Sequence, residues 1–185
     1  MPKAAIKSYA VPSVAEQGTP FVADLATADH AFLVPHHGLG HSAILNFARI
    51  YDSGPADRIA WIRTGIPAAA AKSLFDHINM PSGELMKGLR LSPATLSRKA
   101  GQDANLSAED SERVIGMAKL IGQVQVMVEE SGDPTGFDAA QWTASWLQEP
   151  VPALNGARPI DYMDTMEGQG MVAGLLAQAQ SGAYA

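Results

Sequence analysis

The chain has 185 residues, of which 46% are hydrophobic, so it can bury a core and is not expected to be disordered. It has no apolar run near the roughly 18 residues that a membrane span needs, and residues 1–14 lack the apolar stretch of a signal peptide. Cysteine is absent, which excludes disulfides and thiolate metal sites, and we expect a cytoplasmic protein with no membrane partner.

The net charge of −6 is distributed unevenly along the chain. Residues 1–57 carry a net charge of −2, residues 58–102 carry +5 and residues 103–185 carry −9. The basic middle segment suits phosphates, because each neutralised phosphate releases counterions. An uneven solvated surface is the alternative on charge alone. The acidic C-terminal part would be repelled by DNA and is expected to face a different partner.

The N-terminal residues are rich in Ala, Pro and Thr and show no periodicity, so we interpret residues 1–40 as an arm. Apolar residues at helical spacing then predict helices over residues 42–51, 56–63 and 67–79, separated by Gly and Pro. These helices begin a predicted helical domain over residues 41–130.

Two short helices follow with the length and spacing of a helix-turn-helix, at about residues 82–100. Ser82 is predicted to cap the first helix, 83–89, and Ser92 with Pro93 to open the second. Arg90 occupies the turn, where glycine is frequent because the position often needs positive φ. The face of the second helix would offer DNA these residues: Ser92, Thr95, Ser97, Arg98 and Lys99. A plain helical corner is the alternative.

The strongest helical pattern begins after Ser107, a predicted N-cap. Six apolar residues repeat there at intervals of mostly three and four: Val114, Met117, Ala118, Ile121, Val124 and Val128. Burying six such side chains contributes on the order of 10 kcal/mol before entropy is subtracted, so this is a core helix.

Three further helices are predicted over residues 135–148, over 160–163 and after Thr165, which can cap the last one. Phe137, Ala140, Ala144 and Leu147 would share one face of the first of these. The last helix has its own apolar stripe: Met171, Val172, Leu175, Leu176 and Ala179. No strand is predicted, and the fold class is all-α.

Residues 142–165 have the sequence WTASWLQEPVPALNGARPIDYMDT. A tryptophan–leucine helix end, a proline-rich loop with leucine and glycine, a proline-opened short helix and a threonine cap follow one another. This order resembles the C-terminal toxin-binding domain of the Xre/MbcA/ParS antitoxins, although residues 155–158 differ somewhat from the usual glycine-rich turn. The resemblance extends over residues 67–185. The first 66 residues match no pattern of the family, and this N-terminal part varies among its members.

The resemblance implies an antitoxin that is not an enzyme. Its partners would be a RES-domain toxin, which consumes NAD or transfers ADP-ribose from it, and operator DNA. Residues 131–185 would cover the active site of the toxin, and the helix-turn-helix would repress the operon, usually as a homodimer. Matching positions suggest four toxin contacts: Asn155, Arg158, Tyr162 and Tyr184. Instead of contacting the toxin, Arg158 could pair internally with Asp161, and Tyr184 could pack against the last helix.

Two other functions remain open on the sequence alone. One is a plain helix-turn-helix regulator whose C-terminal part only dimerises. The other is a small metal enzyme built on four histidines: His30, His36, His37 and His41. Gly38 and Gly40 disfavour the helix on which such histidines would share a metal. No nucleotide-binding loop, nucleophile elbow or zinc-protease motif is present, so we expect no catalytic residue, metal or cofactor.

Overall fold

Helices form every regular element in a computed structural model that describes residue 39 and residues 42–180. The α-helices in chain order are α1 (Phe47–Asp52), α2 (Pro55–Thr64), α3 (Ala68–His77), α4 (Ser82–Gly88), α5 (Pro93–Gly101), α6 (Ala108–Ser131), α7 (Ala139–Gln148) and α8 (Met166–Gln180). Short 3₁₀ turns lie at Ala43–Leu45, Pro152–Leu154 and Pro159–Tyr162. The all-α prediction is confirmed.

The long helix α6 is the centre of the core and contacts α1, α2, α7 and α8. Its predicted stripe is buried from Val114 to Val124, whereas Val128 is half-buried near the helix end. The Ser107 hydroxyl caps α6 by accepting a hydrogen bond from the Asp110 amide at 3.1 Å, as predicted. The helix therefore begins where the local sequence starts it and is held by packing along its length.

Gly122 lets the backbone of α1 lie directly against α6. A Cβ placed on Gly122 would stand 2.1 Å from the carbonyl oxygen of Phe47 and 2.8 Å from the Cβ of Tyr51. Real side chains do not approach so closely, so this crossing requires glycine at position 122.

Two predicted helix boundaries are wrong, and a polar cap explains each one. The first helix, predicted over 42–51, is interrupted at Asn46, whose side chain accepts from the Arg49 amide at 3.1 Å and starts α1. The helix predicted from residue 135 begins only after Asp138, which accepts from the Gln141 amide at 2.9 Å. Phe137 therefore precedes α7 and is exposed, while Ala140, Ala144 and Leu147 are buried as predicted.

The remaining ends show smaller differences. Ser82 is the first residue of α4 and makes no cap, because Pro81 occupies the N-cap position. The Thr165 hydroxyl accepts from the Gly168 amide at 3.1 Å, so the predicted cap of the last helix is confirmed. Val172 and Leu176 form the buried stripe of α8, whereas Met171 is exposed.

The described residues all belong to one packed unit. The boundary predicted at residue 130 falls in the last turn of α6, and the domain limits 1–40, 41–130 and 131–185 stay a prediction. None of the described helices combines the length and the hydropathy needed to cross a membrane.

Candidate functional site

The helices α4 and α5 follow one another around a short turn and carry buried leucines. Leu85, Leu89, Leu91 and Leu96 are buried in the core, and α5 packs against α3. The Ser92 hydroxyl accepts from the Thr95 amide at 3.2 Å, and Pro93 occupies the first turn of α5, both as predicted. The predicted helix, turn and helix are all present at this position.

Arg90 in the turn has a φ of +50°, in the left-handed region. Glycine is frequent at this position of the turn, because it adopts a positive φ without steric cost. The Leu91 amide donates to the Met86 carbonyl at 2.8 Å and closes the turn. The turn thus keeps the expected geometry with an arginine in place of glycine.

The five predicted DNA-contacting residues lie along α5, and Leu96 anchors the helix to the core. Ser92, Ser97 and Arg98 are exposed, and Thr95 and Lys99 are half-buried. Arg98 donates to the side-chain oxygen of Gln102 at 3.0 Å, and Lys99 donates to the carbonyl oxygen of Asn105 at 2.8 Å. Within the described residues neither cation is paired with a carboxylate, so both charges remain available to phosphates.

Asn155 lies at the tip of the loop between α7 and α8. Its φ is +53°, and the following Gly156 has a φ of +83°. The Val151 amide donates to the Ala157 carbonyl at 3.0 Å and closes the loop behind the tip. Asn155 is exposed, because the loop bends outward on these two left-handed residues.

Arg158 forms two ion pairs. Its Nη2 lies 2.8 Å from Asp161 Oδ1, and its Nη1 lies 3.2 Å from Glu84 Oε2 on α4. The hydrogen bond with Asp161 raises the pKa of Arg158, and Arg158 in turn lowers the pKa of Asp161. The internal pair that the sequence left open is therefore formed. Any further anion at Arg158 would compete with these two carboxylates.

The α4–α5 turn and the C-terminal segment meet in a joint that sequence reasoning missed. Arg90 Nε lies 2.9 Å from Asp164 Oδ2, alongside the Glu84–Arg158 pair. The Pro159–Tyr162 turn packs against α4, and a Cβ on Gly88 would stand 2.5 Å from the Cγ1 of Ile160. Glu84 and Arg158 are 74 positions apart, so no local spacing indicated their pairing.

The other predicted contact residues differ in their placement. Tyr162 is half-buried and packs against the core beside α8. Tyr184 lies outside the described residues, as do His30, His36, His37 and His41. Among the residues that the structure describes, no three His, Cys, Asp or Glu side chains are grouped as a metal site would need.

An apolar groove of about 320 Å³ runs between α2, α6 and α8. Ile59 and Met166 are exposed at its edges. Lys119 lies within it, and burial, followed by the charge of Arg58, lowers the pKa of Lys119. Residue spacing did not indicate this groove, because its walls come from three separate helices.

Two family sequence profiles match the chain. The profile of the antitoxin Xre-like helix-turn-helix domain matches residues 57–119, which include α4 and α5. The profile of the antitoxin Xre/MbcA/ParS C-terminal toxin-binding domain matches residues 136–182, which include α7, the Asn155 loop and α8. Both matches agree with the elements that the structure places there.

Two curated relatives cover about three quarters of the chain. The Prs ADP-ribosylating antitoxin of Sphingobium sp. (strain YBL2) is 48% identical over 139 residues, 75% of this chain and 87% of that protein. Antitoxin Xre of Yersinia enterocolitica serotype O:8 / biotype 1B (strain NCTC 13174 / 8081) is 23% identical over 154 residues, 74% of this chain and 99% of that protein. With a DNA-binding helix pair joined to a toxin-binding segment, the chain belongs to the Xre-type antitoxins of toxin–antitoxin systems.

Proposed function

We propose that this antitoxin neutralises a RES-domain toxin by covering its active site and represses its own operon as a homodimer. It acts in the cytoplasm, requires no cofactor and performs no catalysis. One packed unit holds both features that support this proposal best. One is the segment that matches the toxin-binding profile. The other is helix α5, whose two cations have no carboxylate partner among the described residues.

The DNA contact is assigned to α5. Ser92, Thr95 and Ser97 supply hydroxyls near its N-terminal end, where a recognition helix meets base edges, and Arg98 and Lys99 supply charge for phosphates. The segment 58–102 carries a net charge of +5, while the rest of the chain is acidic. The electrostatic field therefore attracts DNA to the surface near α5 more than to the other surfaces of the molecule.

The toxin contact is assigned to residues 131–185, with Asn155, Arg158, Tyr162 and Tyr184 as contact residues. Asn155 supports this best, because it is exposed on a closed loop that needs little further ordering on binding. The excess of carboxylates in this part would complement a basic cleft that accepts the phosphates of NAD.

Co-expression tests neutralisation. The product of the gene next to this antitoxin's gene should arrest growth when expressed alone and should be harmless together with this chain. Asn155→Gly removes the side chain while keeping the left-handed backbone, so it should weaken protection without unfolding the loop. If the neighbouring gene product is harmless when expressed alone, the proposed neutralisation is wrong.

Operator binding is tested with Arg98→Ala combined with Lys99→Ala. Each lost phosphate contact should reduce the slope of log affinity against log salt by about 1, so the double variant should lower it by about 2. Protection against the toxin should be unchanged. A variant that binds the operator as tightly as the wild type would remove α5 as the recognition helix.

The plain regulator is the second candidate, and the match to a toxin-binding profile argues against it. It predicts operator binding that is normal in the absence of any neighbouring gene product, and no protection in co-expression.

A further inference from the structure

Three aromatic rings line one outer edge of the molecule at α7. Trp142 and Trp146 are stacked, with ring centroids 6.2 Å apart and an interplanar angle of 8°, and Phe137 lies 6.4 Å from Trp142 at 45°. Phe137 is 36% exposed and Trp142 is 41% exposed, while Trp146 is half-buried. We call these three residues the aromatic strip.

The aromatic strip is exposed on an element that packing and a helix cap hold in place. The opposite side of α7 is buried through Ala140, Ala144 and Leu147, and Asp138 caps the helix immediately after Phe137. Rings that are already ordered lose little side-chain entropy when a partner covers them. Large aromatic anchors of this kind carry most of the binding energy in many protein interfaces.

The surroundings of the aromatic strip are acidic. Between Lys119 and Arg158 the chain carries five carboxylates and no cation: Glu129, Glu130, Asp133, Asp138 and Glu149. A pocket of about 400 Å³ includes Phe137 in its lining, together with Glu129, Asp138, Phe47 and His77. A pocket with carboxylates and aromatic walls suits a guanidinium or ammonium group.

We propose that the aromatic strip and this acidic pocket anchor the toxin, and that the toxin presents an apolar depression bordered by Lys or Arg. This inference rests on the proposed function. The strip lies within residues 136–182, the part matched by the toxin-binding profile, and four of the five exposed large hydrophobic residues of the described chain lie there as well. A second copy fits the strip less well, because the basic surface that would complement it is α5, which DNA occupies.

The anchoring role extends the toxin interface beyond the Asn155 loop. Arg158 is already engaged by Glu84 and Asp161, so it has little freedom to begin an encounter. Phe137 and Trp142 stay partly exposed among the described residues, and the acidic charge near them would speed the approach of a basic surface.

The test measures affinity between the full-length antitoxin and the purified product of the neighbouring gene. Trp142→Ala should weaken binding on the order of 30-fold, as expected for the loss of an anchor residue. Ile59→Ala is the matched control, because Ile59 is 45% exposed but lies on α2, outside the toxin-binding match, and the affinity of this variant should change less than about threefold. Glu129→Lys should lower the association rate and its dependence on salt.

The outcomes separate this inference from the proposed function. If the wild type does not bind the gene product, both fail. If the wild type binds and Trp142→Ala binds equally well, the anchoring role fails while the antitoxin function stands. If Trp142→Ala instead turns a dimer into a monomer in sedimentation without changing toxin affinity, the strip is a contact between copies and the inference is overturned.

Folding is checked by thermal denaturation of each variant. Phe137→Ala serves as a second variant, because Phe137 lies outside α7 and its loss leaves the helix intact. It should also weaken binding, by about tenfold.

Discussion

Gly122→Ala tests whether the close crossing of α1 and α6 limits stability. Alanine at a helix interior is favoured over glycine by about 1 kcal/mol through propensity. Against this, the new Cβ would stand 2.1 Å from the carbonyl oxygen of Phe47, an atom of the backbone that cannot turn away. Overpacking of a rigid core costs about 1–3 kcal/mol, and the upper value applies here because α1 as a whole must shift. The net expectation is a loss of about 2 kcal/mol.

Gly174→Ala is the matched control. It lies in the interior of α8, and a methyl group added there would have nothing within 4 Å of it. Only the propensity gain applies, so it should stabilise the protein by about 0.5–1 kcal/mol. For a chain of this size 1 kcal/mol shifts Tm by about 2–4 °C, so far-UV circular dichroism should show Gly122→Ala lower by about 4–8 °C and Gly174→Ala higher by about 1–4 °C. Equal shifts of the same sign would refute the steric reasoning.

Two further predictions concern buried and paired polar groups. Ser111→Ala removes the hydroxyl that accepts a hydrogen bond from the buried Ile66 amide at 2.9 Å. The free energy of unfolding measured in urea should therefore fall by about 1–3 kcal/mol. The control Ser145→Ala, at an exposed serine, should stay within about 0.5 kcal/mol of the wild type. Arg158→Gln should raise the lowered pKa of Asp161 toward its usual value in carboxyl NMR titration, because the guanidinium is the main cause of the lowering. The stability that this pair adds is present at neutral pH and is lost as pH falls through the lowered pKa. An unchanged Asp161 titration would show that the Arg158 side chain is not the cause.

The sequence predicted the helices whose signals are local. Ser92, Ser107 and Thr165 each cap a helix through a hydroxyl that reaches an amide three residues ahead, and such a signal depends only on neighbouring residues. Asn46 and Asp138 also cap helices, but each lies within a segment whose apolar spacing predicted one continuous helix. The prediction followed the apolar spacing and missed both caps.

The joint between the α4–α5 turn and the C-terminal segment could not be predicted from spacing. Glu84 with Arg158, and Arg90 with Asp164, become neighbours only after the Pro159–Tyr162 turn has packed on α4. The exposure of Phe137 and Trp142 was hidden for a related reason, since hydrophobicity alone assigns large aromatic residues to the core.

The double attachment of the segment before α8 has a consequence for turnover of the antitoxin in the cell. The side chain of Gln123 donates to the Ala173 carbonyl of α8, and Arg113 on α6 donates to the Asp164 carbonyl. The Asp164 side chain also pairs with Arg90, so this segment is held both by α6 and by the α4–α5 turn. One proteolytic cut between α7 and α8 would strip this segment from α6 and release Arg90 from Asp164. Under the proposed repression of the operon by this chain, loss of toxin control and derepression would then occur in a single event, and new antitoxin would be made when the old is destroyed.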